Sequence, residues 1–321
     1  MKKKHNLRKG MLLTFGVLAS LQGTVLANED KTLKVGVIKA LGTVSPYVAE
    51  KEGYFDDLNI EFQEFSDGSA LMEAFAAGEL DLGFCGVAPI ANWYTKGIDL
   101  KMIAGCNGGG HVILTREDTG IESASDLKGK ILAEPNIGTV TDTLLRDVIL
   151  PEAELNPESD LTIIPGMKPA DMAVSLFDTK EVDAILTWEP FVTQAQEKYE
   201  GVKIVYDAAP KLKEKLGTET FYSVNALAAT SEVLEEKPEE VKAFVDAYKQ
   251  GVDYINENEE ANAVIAEILE QEEAVVEGAR DRIDYTYEID REGIERTLQW
   301  ALDLGYIDEI PSAEEFYQDT L

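Results

Sequence analysis

Beyond residue 32 the chain alternates between short apolar runs and longer segments in which apolar residues recur three and four positions apart. LKVGVI is an apolar run of strand type, ALGTVS a loop, and PYVAEKEGYF a helical segment with proline near its start. IEFQEF alternates like a half-buried strand. SDGSALMEAFAAG opens on Ser and Asp at helix-capping positions and closes on Gly78. LDLGFCG then reads as a strand and APIANWYTKG as a helix ended by Gly97, with LKMIAGC and HVILTR as strands around the glycine cluster GCNGGGH. Strands that alternate with helices imply parallel pairing through right-handed crossovers.

The same rhythm continues as SASDLKGKILAEP, a short capped helix and a strand, then IGTVTDTLLRDVIL (helix), DLTIIPG (strand), PADMAVSLFDT (helix) and VDAILTW (strand). This predicts a second αβ lobe over residues 118–217. FYSVNALAAT, again strand-like, returns the chain to a discontinuous first lobe built from residues 28–117 and 218–321. From Ser231 onward the pattern is nearly all helical, as in EKPEEVKAFVDAYKQGVDYI and EGIERTLQWALDLG. The two crossings between lobes are expected near Thr115 and Val224.

One pattern occurs twice. FAAGELDLGFCGVAP begins at Phe75 and FDTKEVDAILTWEP at Phe177; setting one Phe on the other aligns Glu79 with Glu181, Leu80 with Val182 and Asp81 with Asp183. Each is a helix, a turn, an acidic residue and a strand that leads to a proline. The residues that follow each strand lie at its carboxyl end, where open α/β sheets bind ligands.

Composition narrows the function. MKKKHNLRKG is basic, Met11–Leu21 is mostly apolar and TVLA ends in small residues, the pattern of an export signal over residues 1–27. The apolar run is short for a membrane span, so cleavage is favoured over a retained anchor. The formal net charge is −32, and removing the five Lys and Arg within residues 1–27 takes it to −37. That balance argues against nucleic acid as a partner, since phosphate binding needs clustered Lys and Arg. The two cysteines, Cys85 and Cys106, make no disulfide framework and read as buried free thiols, with a disulfide as the alternative. No metal site or cofactor is expected. Nor is a catalytic residue, because the chain has no G-x-S-x-G elbow, H-E-x-x-H helix, Walker loop or Rossmann glycine pattern.

Five segments, in this order, carry a resemblance: PYVAEKEGYF with IEFQEF; SDGSALMEAFAAGELDLGFCGVAP; SASDLKGKILAEPNIGTVTDTLL; KEVDAILTWEP; and LDLGYIDEIPSAEEFY. The chain resembles the type II periplasmic solute-binding proteins of ABC importers, in the group that takes nitrate, taurine, aliphatic sulfonates and thiamine-precursor pyrimidines. The resemblance implies an α/β, two-lobed fold of periplasmic-binding-protein type II, each lobe a mainly parallel sheet flanked by helices, with a two-strand hinge. It implies a monomer that captures a small anionic or zwitterionic solute outside the membrane and passes it to ABC permease and ATPase subunits. A heterocyclic vitamin precursor as ligand, or a free-standing sensor role, are the alternatives.

Candidate ligand-binding residues follow from combining helix starts with that resemblance. In the first lobe they are Thr43, Ser45 and Tyr47 around the first loop; Ser66, Gly68 and Ser69 at a helix start suited to an anion; and Gly86 and Val87, which offer backbone. In the second lobe they are Thr139 and Thr141 at the corresponding helix start, and Trp188 and Glu189 after the repeated strand. Tyr222 and Asn225 are added from the returning strand. Two helix starts converging from opposite lobes would clamp an anion without any arginine. The same residues serve as plain N-caps in any protein, and a carboxylate at Asp67 would repel an anion unless it points away. His111 is read as structural.

Overall fold

The computed structural model describes residues 31–216 and 222–318, so the predicted signal segment lies outside the described residues. Eleven strands are described: β1 (Leu33–Val37), β2 (Ile60–Glu64), β3 (Leu82–Gly86), β4 (Leu100–Gly109), β5 (His111–Arg116), β6 (Ile131–Ala133), β7 (Thr162–Ile164), β8 (Ala184–Trp188), β9 (Val202–Asp207), β10 (Ser223–Thr230) and β11 (Ile283–Tyr285). They form a six-stranded sheet in the order β11-β4-β10-β3-β1-β2 and a five-stranded sheet in the order β7-β6-β8-β5-β9. The α/β two-lobed architecture is as expected, but the sheets are mixed. β1, β2 and β3 pair in parallel, as do β6, β7 and β8, whereas β10, β4, β5, β9 and β11 join antiparallel. β4 and β5 flank the first crossing, where the chain reverses without an intervening helix, and β9 and β10 flank the second, across the helix Ala208–Leu216.

The first crossing falls earlier than residues near Thr115. β5 pairs with β8 and β9, so His111–Arg116 belongs to the second sheet and not to a first lobe running to residue 117. The crossing is at Gly109 and Gly110, whose φ values of 78° and 87° are the left-handed region that glycine enters without strain. The second crossing leaves β9 through the helix Ala208–Leu216 and re-enters the first sheet at β10, beside Val224. β11 is a strand inside the part of the chain expected to be helical; three residues are too few to interrupt the surrounding helical period.

The repeat has a structural explanation. The Asp81 backbone N–H donates to Lys34 O at 2.9 Å and the Lys34 N–H to an Asp81 carboxylate oxygen at 2.9 Å. The Asp183 N–H donates to Ile131 O at 2.8 Å and the Ile131 N–H to an Asp183 carboxylate oxygen at 2.9 Å. Each aspartate thus satisfies a donor beside the start of the neighbouring parallel strand. The turn before it is left-handed in both, at Gly78 (φ 72°) and Lys180 (φ 57°).

Apolar clusters occupy both faces of each sheet. Phe84, Leu227 and Ile103 pack against Phe244, Tyr248 and Val252 of the helix Pro238–Glu257. On the other face, Leu71 and Phe75 of the helix Gly68–Ala76 and Ile90 of the helix Val87–Thr95 begin a cluster that continues through Ile294 and Leu298 of the helix Arg291–Asp303 to Leu144, Leu145 and Leu132 of the second lobe. Val112, Leu176, Ile185 and Val192 fill the remaining face. Phe75 lies so close to Gly83 that a Cβ there would sit 2.6 Å from its ring, which places the first helix of the repeat directly on its strand. Cys85 and Cys106 are both buried free thiols. Burial pushes each up to about 12.

Candidate functional site

A cavity of about 670 Å³ opens between the sheets. Its wall includes Ile38 after β1, Gly86 at the end of β3, Pro135 after β6 and Glu189 after β8, so the carboxyl ends of four parallel strands meet there. Gly109 and Gly110 of the first crossing complete it on one side, and Gly305, Tyr306 and Ile307, after the helix Arg291–Asp303, on another.

Four helices begin at this wall, and at three of them a carboxylate of the chain accepts from a backbone N–H in the first turn or just before it. Asp67 is the N-cap of Gly68–Ala76: one carboxylate oxygen accepts from the Ser69 and Ala70 N–H groups at 3.0 and 3.1 Å, and the other accepts from Ser66 Oγ at 2.9 Å. The Ala70 and Ser66 hydrogen bonds hold its carboxyl below the usual range. Thr139 caps the helix that starts at Val140, accepting from the Asp142 N–H at 3.4 Å and donating to Asn136 O at 2.8 Å, while Asp142 accepts from the Gly138 N–H at 2.9 Å. Glu189, just before the N-cap Pro190 of Phe191–Lys198, accepts from the Thr193 N–H at 3.1 Å and Oγ1 at 3.2 Å in its first turn. The helix Val87–Thr95 begins at Gly86 with no side-chain cap. The expected anion clamp from Ser66–Ser69 and Thr139 is therefore corrected: both helix starts already hold a carboxylate of the chain itself.

Glu189 is also committed to a cation. Arg282, one residue before β11, places Nη1 2.6 Å from a Glu189 oxygen and Nε 3.5 Å from Asp207 at the end of β9. Burial pushes the Glu189 carboxyl above its ordinary range, opposed by the Thr193 and Arg282 contacts. The role expected of Glu189, accepting from a ligand amine, is thus taken by Arg282 and Thr193, although the residue does line the cavity.

Each repeated strand ends opposite a polar residue. Trp188 faces His111 across β8 and β5, and Gly86 faces Asn225 across β3 and β10. His111 is buried, with Nδ1 2.8 Å from Tyr222 Oη and Nε2 3.0 Å from Thr141 Oγ1, which ties the returning strand to the second-lobe helix. Burial lowers its imidazole to about 4, so it is neutral at pH 7. Asn225 Nδ2 donates to Asn107 Oδ1 at 2.7 Å, and both carboxamides line the cavity. Asn107 Nδ2 and Asn225 Oδ1 have no partner among the described residues.

Behind the loop 135–139 lies a buried charge cluster. Arg146 donates from Nη2 to Glu134 at 2.9 Å and from Nε to Asp142 at 2.6 Å. Two carboxylates share one guanidinium in a buried site; burial first and the Asp142 charge second push Glu134 up to about 8, against Arg146. Tyr306 reaches Asp142 from the C-terminal segment, and burial followed by that hydrogen bond raises its phenol.

Of the residues expected from sequence, Thr43, Gly68, Ser69, Gly86, Thr139, Thr141, Trp188, Glu189 and Asn225 line the cavity. Five lie elsewhere. Ser45 and Val87 are buried inside the first turns of their helices, Tyr47 is buried and donates to Glu64 at 3.1 Å, Ser66 is spent on Asp67, and Tyr222 is buried against His111. Sequence reasoning missed Trp93, Asn107, Ile137 and Tyr306 as wall residues. Ile137 is 56% exposed, an apolar side chain in a loop otherwise polar, and that mismatch was readable in NIGT. Among the described residues no group of three or more His, Cys, Asp and Glu is arranged to hold a metal.

A family model described as the NMT1-like family matches residues 26–270. The chain is 27% identical over 313 residues to a Bacillus subtilis protein named for aliphatic-sulfonates binding, covering 94% of this chain and 90% of that one. In fold it is similar to the periplasmic aliphatic sulphonate binding protein SsuA of Escherichia coli, with a TM-score of 0.73 at 22% identity over 90% of this chain and 93% of the other. It is similar also to the alkanesulfonate-binding protein SsuA of Xanthomonas axonopodis pv. citri bound to MOPS, with a TM-score of 0.71 at 22% identity over 92% and 100% of the two chains.

Proposed function

The chain belongs to the NMT1-like family, and from that premise we propose that it captures a small organic solute between its two lobes and delivers it to an ABC permease and its ATPase. It is a binding protein, not an enzyme, and its partners are a small molecule and a transporter. The carrying observation is the cavity of about 670 Å³ at the carboxyl ends of four parallel strands, between sheets joined by two crossings. Such a cleft can close by hinge motion around a solute. Export ahead of residue 28, and action as a monomer, complete the reading.

The relatives' names favour an aliphatic sulfonate or taurine-like solute, anionic or zwitterionic. The uncapped start of Val87–Thr95 supports this, because free N–H groups and the helix dipole there attract an anionic end. A second reading, a nitrogen heterocycle, is supported by the Asn107–Asn225 pair beside Trp93 and Trp188 in the same wall.

Native mass spectrometry of the mature protein, purified without denaturation, tests the proposal. One unmodified solute per chain is expected, and adding it back at a hundred times its dissociation constant should stabilise the fold by about 2.7 kcal/mol. Conversion of the solute to a product, or a chain that binds nothing, would reject it.

A further inference from the structure

The charges around the cleft deepen this reading, on which the following step rests. Thirty-two residues line the cavity, and the charged ones among them are Asp67 and Glu189. Basic side chains do lie nearby, but each is engaged elsewhere. Lys39, between the wall residues Ile38 and Ala40, lies 4.0 Å from Glu64 and over the Tyr47 ring. Arg282 is divided between Glu189 and Asp207, and Arg146 among Glu134, Asp142 and Glu158. Both arginines face more carboxylates than they can neutralise. The whole chain carries a formal charge of −32, and a cleft lined by one sign of charge concentrates that field.

Within this field Asp67 is the one wall carboxylate with no cation in contact among the described residues. Its hydrogen bonds, two N–H groups on one oxygen and one hydroxyl on the other, leave acceptor capacity on the second oxygen. A Cβ at Gly68 would lie 3.3 Å from Cys85 Sγ, so the Asp67 cap is a near neighbour of the uncapped helix start at Gly86. An acceptor pole and a donor pole thus stand side by side.

We propose that Asp67 is a specificity-determining residue, a charge filter that admits solutes bearing a cationic or N–H-donating group and excludes solutes of net negative charge. A simple alkanesulfonate or nitrate meets Asp67 with no cation to offset it. A short zwitterion places its anionic end at Gly86 and its ammonium at Asp67, and a neutral N–H-bearing ring also passes.

Taurine and propane-1-sulfonate test this directly, because they match in length and differ in an ammonium against a methyl. Titration calorimetry on the full mature chain should give taurine at least a tenfold lower Kd. Asp67→Asn keeps the helix cap, since Asn caps as well as Asp, and should bring the two Kd values within about threefold of each other. Equal affinities in the wild type, or a ratio unchanged by D67N, would overturn the proposal. Where neither probe binds, the net charge of the solute released from the native protein decides. A neutral, zwitterionic or cationic solute supports the filter, and a net anion overturns it while leaving solute capture intact. A protein that releases no solute and binds no probe would reject solute capture itself, and the filter with it.

Discussion

The two repeated units, Phe75–Gly86 and Phe177–Trp188, are alike where they build the fold and unlike where they reach the cleft. Asp81 and Asp183 hold the N–H groups of Lys34 and Ile131 in the same way, and Gly78 and Lys180 turn the chain through the same left-handed conformation. At the tips the first unit ends in backbone, Cys85 to Val87, and feeds a helix with no side-chain cap. The second ends in Trp188 and Glu189, a carboxylate that accepts from the Thr193 N–H of the following helix and pairs with Arg282. Residues that repeat therefore report on strand pairing, and residues that differ report on what the cleft can hold. At the second tip the carboxylate is engaged by Arg282 and Thr193, whereas at the first the backbone meets a helix start with no side-chain cap.

Breaking the second tip should have the largest effect. Glu189 is fully buried and Arg282 is its cationic partner, so Arg282→Ala strands a buried carboxylate at a cost of about 3–5 kcal/mol. Arg282→Ala with Glu189→Gln should recover most of that loss, because the amide carries no charge to strand. Urea unfolding of the single and double variants measures it, and an equal loss in both would mean that the charge pair contributes nothing. No substitution near Gly86 has an ionic counterpart, and this asymmetry is what the measurement sharpens.

The residues opposite the tips separate the units by pH. His111, facing Trp188, has its imidazole lowered to about 4 by burial, against an ordinary value near 6.5. The unfolded chain takes up that proton as pH falls through about 6.5, and the folded chain does not until about 4. Stability is therefore present above the unfolded value and is lost between those limits, by about 3 kcal/mol. Glu134, pushed up to about 8, acts in the opposite sense between about 4.5 and 8, so the difference between wild type and His111→Gln isolates the histidine. That difference should grow in favour of the variant as pH drops from 6.5 to 4.5. Asn225, facing Gly86, carries no charge, and Asn225→Ser should show no such slope.

These contrasts also mark how far the sequence could be read. The repeat, the helix starts and the strand ends were legible because capping residues and apolar periods are local signals. The conflict at Asp67 was visible too, since an N-cap carboxylate and an anion compete for the same N–H groups. Arg282 was not legible as the partner of Glu189: the two are 93 residues apart, and nothing local in RIDYTYEI marks either the ion pair or β11. Tyr222 was placed at the cleft by position and His111 was read as structural, but only the packed structure turns their polar atoms toward each other. The mixed sheets had the same origin, because pairing of the crossing strands is set by tertiary contacts.

The shared aspartates offer a smaller effect that tests the likeness itself. Asp183→Ala leaves the Ile131 N–H without its acceptor and should cost about 1–2 kcal/mol. Asp81→Ala should cost the same for Lys34, plus a small increment from the ion pair with Lys237 at 3.3 Å. Guanidinium titrations that give costs far apart would show that the two aspartates are not doing the same job.

The smallest expected effect lies in the turns. Lys180 adopts φ 57°, where a residue with a Cβ is disfavoured by about 1–2 kcal/mol, whereas Gly78 adopts φ 72° at no such cost. Lys180→Gly relieves that strain but gives the unfolded chain more freedom, so the net gain should be about 0.5–1 kcal/mol. The lost ion pair between Lys180 and Asp118 should hardly reduce it, since both side chains are more than half exposed. The reciprocal change, Gly78→Lys, imposes the strain on the first unit and should destabilise by a similar amount. A thermal melt of each single variant and of the exchange pair checks the argument: the two single effects should have opposite signs, and the exchange should nearly cancel. If Lys180→Gly destabilises, the second turn is held by contacts of its side chain rather than by its backbone, and the units are equivalent in outline only.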